Sequence, residues 1–264
     1  MSAAAHGAAE TGSAEVDVVI LTWNDGPLLE IALESALASR GPAVHAIVVD
    51  NASDPPAVVP DDPRVELLLN SENRGVAPAR NQGARRGSAP FVCFLDSDAR
   101  LEPDTLDRLL DPMRSDPTVG LTAPVFTDQA PGASAGKAPS VTTKLARLMN
   151  RRSDYETAGV ADDAPQWDVD FAIGACQVFR RSAFDAVDGL DESYFYGPED
   201  VDFCLRIREQ GLRVVQLRDA RCDHPPRRRF RGLLSKRGAA HAWAVTRHLW
   251  RHRNFDRKVP ARAT

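Results

Sequence analysis

The run FVCFLDSDARLEP, residues 91–103, ends an apolar stretch on two carboxylates, Asp96 and Asp98. Acids at i and i+2 beyond a buried strand can hold one hard divalent cation and leave positions open for phosphate oxygens. A solvated acidic loop is the competing reading, and the strand-end position favours the cation. Asp50 closes VHAIVVD in the same way. Its carboxylate can accept a ring N–H such as a pyrimidine imide, or serve as a turn residue with Asn51-Ala52-Ser53-Asp54. In ENRGVAPARNQG, backbone N–H groups near a helix start join Asn73, Arg74, Gly75 and Arg80 as donors suited to phosphate. Glu199-Asp200 follows SYFYGP at a helix start, where acids offset the helix dipole or act as general base. His224, in RCDHPP, offers an imidazole that can join a cation site.

These side chains need elements to place them. VDVVILTW (16–23), VHAIVVD (44–50), VELLL (65–69) and FVCFLD (91–96) read as strands. Between them lie helical patterns, with Leu29, Leu33 and Leu37 on one face of the first and VAPARNQGARRG in the next. Strands alternating with helices give an α/β fold with a mostly parallel central sheet flanked by helices. Ligands of such sheets bind beyond the carboxyl ends of the strands, where Asn24, Asp50, Asn73 and Asp96 all fall. PDTLDRLLDPMRSD reads as a helix, TVGLTAP and LRVVQL as strands, and SAFDAVDG and DVDFCLRIREQG as helices. Residues 128–166, rich in Ala, Pro, Gly, Ser and Asp, read as a mobile loop with a short helix near TKLARLMN.

Length and composition fit one soluble α/β domain, residues 16–225, after a disordered leader, 1–15. The leader lacks the basic start and apolar run of a signal peptide, and no segment is long and apolar enough to span a bilayer. Four scattered cysteines without metal spacing read as reduced core thiols, which suits a cytoplasmic protein. Residues 225–264 hold ten Arg, two Lys and one Asp. That segment carries +11, so with −4 on the whole chain the preceding residues carry −15. A basic helical tail, 226–264, either lies on an anionic membrane surface or packs on the core with its arginines outward. The acidic body argues against a nucleic-acid partner.

Taken in order, VVILTWN, IVVDNAS, NRGVAPARNQG, FLDSDARLEP, IGACQVFRRSAF and YFYGPEDVDFCLR, followed by a histidine, resemble the inverting family 2 glycosyltransferases of the GT-A fold. Within that family the set is most similar to the bacterial rhamnosyltransferase-like branch. The resemblance implies transfer of a sugar from a UDP- or dTDP-sugar, dTDP-rhamnose favoured, to a saccharide or lipid-linked acceptor in cell-envelope synthesis. It implies that Thr22 and Asn24 line the nucleotide site, that Asp50 reads the imide, and that Asn73, Arg74, Gly75 and Arg80 pack against nucleotide and phosphates. Asp96 would lie near the ribose or sugar, and Asp98, with His224, would hold Mg²⁺ or Mn²⁺. Gly174 and Ala175 match a small-residue turn on the acceptor side. Asp200 would be the catalytic base, with Glu199 assisting. Two other functions fit parts of the pattern. A sugar-nucleotide nucleotidyltransferase would carry a Gly-rich basic loop after the first strand, where this chain has TWNDGPLLE. A non-catalytic sugar-nucleotide-binding module would leave Asp200 turned away from Asp98.

Overall fold

A computed structural model of the chain describes residues 13–127, 129, 133–138, 163–195, 197–225, 243, 246–248, 250–252 and 255. The β-branched run Val16–Thr22 forms β1, flanked on both sides by parallel partners, β2 (Val44–Asp50) and β4 (Phe91–Asp96). β3 (Val65–Leu69) lies parallel outside β2. Beyond β4 the sheet continues through β10 (Cys176–Arg180), antiparallel to β4 and to β6 (Val119–Phe126), and then β11 (Arg213–Asp223), parallel to β6. Two short strands, β5 (Arg100–Leu101) and β8 (Gln166–Val169), pair antiparallel with β11 and complete nine strands. β7 (Ala135–Gly136) and β9 (Phe171–Ala172) form a separate pair.

Side-chain alternation sorts the helices between the two faces of the sheet. Val16, Val18 and Ile20 face α1 (Gly26–Leu37) and α3 (Thr105–Ser115), which bury Leu29, Leu33, Leu106 and Leu110 against them. Each such leucine, fully removed from water, stabilises the fold by about 1.5–3 kcal/mol. Val19 and Phe94 face the other way, toward α2 (Val76–Arg86), α4 (Arg181–Ala186) and α5 (Glu199–Glu209). Asp17 breaks the apolar run of β1, and its buried carboxylate accepts from Arg181 Nη2 at 2.6 Å and the Ala89 N–H at 2.8 Å. The four cysteines are buried and unbridged, as expected of core thiols.

The register decides where function can gather. Thr22 is paired with Asp50, and Leu21 with Asp96, so β1, β2 and β4 end at one edge. The alternating pattern expected from sequence holds through β4 and then changes. β10 enters between β4 and β6 antiparallel to both, and Gly174 and Ala175, just before it, arrive beside Asp96. The expected leader lies largely outside the described residues, and so does the helix expected near TKLARLMN.

Candidate active site

Asp96 ends β4 with its backbone N–H donating to the Ala175 carbonyl at 2.9 Å. The chain then turns through Ser97, whose hydroxyl donates to Asp25 Oδ2 at 2.9 Å and ties the acidic loop to the start of α1. Asp98 is delivered toward His224, which follows β11. His224 Nε2 lies 3.6 Å from Asp98 Oδ1 and 3.9 Å from Asp96 Oδ2. The imidazole packs on Phe126, ring centroids 5.0 Å apart. One ligand atom from each of Asp96, Asp98 and His224 falls within 4.8 Å of the others. Two carboxylates and an imidazole at this spacing suit Mn²⁺ or Mg²⁺, with the nitrogen better matched to Mn²⁺. The structure brings Asp98 and His224, the expected cation ligands, together with Asp96, which was expected near the ribose or sugar.

Arg80 links this triad to the second acid pair. Its Nη2 donates to Asp96 Oδ1 at 2.6 Å and to the Gly174 carbonyl at 2.7 Å, and Nη1 lies 3.9 Å from Glu199 Oε1. The guanidinium sits over the Phe94 ring, 5.4 Å from its centroid. Burial opposes the charge on Arg80, but Asp96, Glu199 and Asp200 outweigh it and hold the guanidinium firmly protonated. Arg80, expected to pack against nucleotide and phosphates, directs its bonds here to Asp96 and the Gly174 carbonyl. The residue is 3% exposed and committed to carboxylates, because a buried cation must be neutralised where it lies. A Cβ on Gly174 would strike the Arg80 guanidinium and come within 3.2 Å of the Asp200 Cβ, so only glycine admits this close approach.

Glu199 and Asp200 open α5. Asp200 Oδ2 accepts the Gly174 N–H at 2.9 Å, and Oδ1 accepts the Val201 N–H at 2.8 Å. Burial raises the Asp200 pKa, against the pull of those two N–H groups and of Arg80. Glu199 is pushed up to about 7, first by burial and then by the negative charge of Asp200, with Arg80 offsetting part. Among the described residues its Oε2 has no hydrogen-bond partner.

The raised Glu199 pKa has a stability consequence with a definite sign. A carboxyl whose folded pKa lies near 7 against an ordinary 4.5 contributes stability that is full below 4.5 and lost as pH rises through 7. Glu199→Gln removes that loss. Urea melts of metal-free protein should show the variant gaining on the order of 2–3 kcal/mol over wild type between about pH 5 and about pH 8. An identical pH response in the two proteins would contradict the buried-acid assignment.

The nucleotide-side candidates sit at the ends of β1 and β2 and the start of α2. Thr22 is buried, and its carbonyl accepts the Asn51 N–H at 3.0 Å. Asn24 takes the left-handed conformation, φ +59°, donates its N–H to Ser53 Oγ and accepts the Asp54 N–H on Oδ1. Asp50, expected to read the pyrimidine imide, is bonded here within its own loop. Oδ1 accepts from the Ser53 N–H and hydroxyl at 2.9 and 2.5 Å, and Oδ2 from the Ala57 N–H at 2.8 Å. At 1% exposure it satisfies its own loop, the local competition that short acidic side chains offer the backbone. Asn73 Oδ1 accepts from Asn51 Nδ2 and the Gly75 N–H, both at 3.0 Å. Gly75, at φ +88°, caps α2 where a Cβ would meet the Phe195 ring and carbonyl at 2.8 Å. Arg74 remains exposed at this rim, in reach of an anion, with Nη1 3.4 Å from Gln82 Oε1.

Asn51 is the organiser that sequence reasoning passed over as a turn residue. Besides its bonds to Asn73 and Gly75, its Oδ1 accepts from Asn70 Nδ2 and the Arg74 N–H. A polar residue directly after an apolar strand was the available signal; its burial was not visible.

A candidate cation group and a buried acid pair, joined by one arginine at the carboxyl edge of a largely parallel sheet, are the arrangement expected of a GT-A glycosyltransferase. A model of the glycosyl transferase family 2 matches residues 17–188, and the chain belongs to that family. A second model, described as the N-terminal domain of galactosyltransferase, matches residues 161–226. The N-acetylglucosaminyl-diphospho-decaprenol L-rhamnosyltransferase of Mycobacterium tuberculosis is 31% identical over 78% of this chain and 75% of its own. The pre-mycofactocin glycosyltransferase of the same organism is 32% identical over 89% of this chain, which spans 48% of that protein. Among solved structures, a mannosyltransferase from Pyrobaculum calidifontis in complex with GDP-Man and Mn²⁺ superposes with a TM-score of 0.59. It is 22% identical, covering 96% of this chain and 67% of that one, and shares the fold. The match to the glycosyl transferase family 2 and to relatives named as glycosyltransferases argues against both the nucleotidyltransferase and the non-catalytic module.

Proposed function

We propose that this enzyme moves rhamnose from dTDP-rhamnose to a hydroxyl of a lipid-linked saccharide, in one inverting displacement with Asp200 as the base. The observation that carries this reading is Arg80, which spans from Asp96 of the cation triad to Glu199 of the acid pair. One side chain fixes the spacing between leaving-group side and acceptor side. The 31% identity to a protein named as a rhamnosyltransferase acting on a decaprenol-linked sugar supports both the donor and the acceptor class.

Mn²⁺ or Mg²⁺, held by Asp96, Asp98 and His224, would supply the positive charge that a departing nucleoside diphosphate needs. The chain does the rest. Asp200, pinned at both oxygens by backbone N–H groups, takes the acceptor proton as that oxygen bonds to the anomeric carbon and the sugar–phosphate bond breaks. A raised pKa makes Asp200 a stronger base at neutral pH than an ordinary aspartate. Glu199, partly protonated near neutrality, keeps a second negative charge away from the attacking oxygen. Asp50 and Asn51 shape the loops that receive the base, and Arg74 offers a cation at the rim.

A thermal-shift screen of UDP-, dTDP- and GDP-sugars with Mn²⁺ tests the donor. The largest stabilisation should come from dTDP-rhamnose, with the shift abolished by EDTA. A larger shift with a GDP-sugar would overturn the donor assignment.

An acceptor of this class is reached at a membrane surface, and the enzyme works there on the cytoplasmic side. Among the described residues no helix is long and apolar enough to cross a membrane. The described part of the basic tail packs on the body through His248 and Phe255, which are buried. Trp243 and Trp250 stay 55% and 67% exposed, and tryptophan is the residue most at home at a lipid–water interface. With the basic residues around them in sequence, they form the face offered to anionic lipid. Trp243→Ala/Trp250→Ala should lower flotation with phosphatidylglycerol vesicles by about fivefold or more. Equal flotation of variant and wild type would reject the membrane face.

A further inference from the structure

The C-terminal segment grips the chain on both sides of the acid pair. Asp191 lies upstream of Glu199-Asp200, and its Oδ2 accepts from Arg247 Nη2 at 2.9 Å and Arg251 Nη1 at 2.6 Å. Hydrogen bonds from Ser193 and the Arg247 guanidinium hold the Asp191 carboxyl well below the usual range, against its burial. Asp202 lies downstream, on the first turn of α5, and is 0% exposed. Its Oδ1 is 2.8 Å from His252 Nε2 and 3.6 Å from Arg251 Nη1, while Oδ2 accepts from Arg206 Nε at 2.7 Å. Arg247 also lies over the buried Tyr194 ring, 6.0 Å from its centroid, and Phe255 is covered by Arg208 at 5.8 Å. Arg251 therefore touches both anchor points, one before the acids and one after.

The Phe195 carbonyl accepts the Val76 N–H at 2.9 Å, which fixes the approach to α2. Asp200 meets the Gly174 N–H outside its own helix, and a small shift of α5 along its axis would break that bond. Asp202 is two residues away on the same helix.

We propose that Arg247, Arg251, His252 and Phe255 form a clasp that positions Glu199 and Asp200, with Arg247, Arg251 and His252 as positioning residues. The inference rests on the reading of Asp200 as the base. The tail is thereby part of the catalytic machinery and not an appendage that supplies charge alone. A cation held by Asp202, His248 and His252, whose ligand atoms also lie within 4.8 Å of one another, fits less well. A dication there would face Arg206 and Arg251, both within 4 Å of the same carboxylate.

The test uses the full chain. Hydrogen–deuterium exchange, donor KM and kcat with dTDP-rhamnose and Mn²⁺ are compared for wild type, Arg247→Ala/Arg251→Ala, His252→Ala and His252→Gln. Expected in the double variant and in His252→Ala is exchange faster by about tenfold across 191–202, with β1, β2 and β4 unchanged. Turnover should fall by about tenfold while donor KM holds within about twofold. His252→Gln, which still donates to Asp202, should recover both. Unchanged exchange across 191–202 overturns the clasp, as does faster exchange with normal turnover. Faster exchange throughout, with KM and kcat failing together, would mean a general loss of structure and also overturns it. If Asp200→Asn were fully active, the base reading would fail, and exchange would still decide whether the segment is clasped.

Discussion

Asp200→Asn lowers kcat for sugar transfer by roughly 10²–10⁴-fold, the range that a positioned general base supplies. Donor affinity stays within about twofold, because Asp200 meets the acceptor and not the diphosphate. The amide keeps the shape of the carboxylate and can still accept one of the two N–H groups, from Gly174 or Val201, that hold it. It cannot accept a proton at neutral pH. The substitution also removes the charge that helps to raise Glu199, so Glu199 ionises more readily in the variant. Should Glu199 then serve as the base, activity would persist with a shifted pH profile. Radiolabel transfer across pH separates these outcomes, and near-normal turnover at neutral pH would remove Asp200 from its role.

Asp98→Ala raises the Mn²⁺ concentration needed for half-maximal activity by about a hundredfold or more, since even groups supporting a ligand are worth 10–100-fold in metal affinity. The two residues left behind make a poor site. Asp96 spends Oδ1 on Arg80 at 2.6 Å, leaving one oxygen and the His224 imidazole. Excess Mn²⁺ should restore part of the activity, as expected when a ligand and not the fold has been lost. A Mn²⁺ activity curve superimposable on that of wild type would show that the cation binds elsewhere or is not needed.

The parts of the structure that were legible in sequence share one cause. β1, β2, β3 and β4 are long apolar runs with clear stops, so their ends, and the acids placed there, could be read directly. β5, β7 and β9 are two residues each and exist only because partners reach them, which no local pattern encodes. The antiparallel course of β10 likewise rests on its pairing with β4 and β6, strands distant in the chain. The same distinction runs through the site. Asp96, Asp98 and His224 are brought together, whereas Asp50 and Arg80 carry the expected residue types in different surroundings. Burial turned Asp50 into its own loop and made Arg80 a bridge between carboxylates. Asn51 and the contacts of Arg247, Arg251 and His252 depend on neighbours 19 to 60 residues away, beyond the reach of spacing rules.

Calorimetric titration of dTDP-rhamnose in the presence of Mn²⁺ into wild type, Asp98→Ala and Asp200→Asn probes the shared cleft most directly. Expected is full binding heat with wild type and Asp200→Asn and at least about tenfold weaker binding to Asp98→Ala, with only wild type turning the donor over efficiently. Equal affinity in all three proteins, with and without Mn²⁺, would contradict a donor held beside Asp98 and attacked from the side of Asp200.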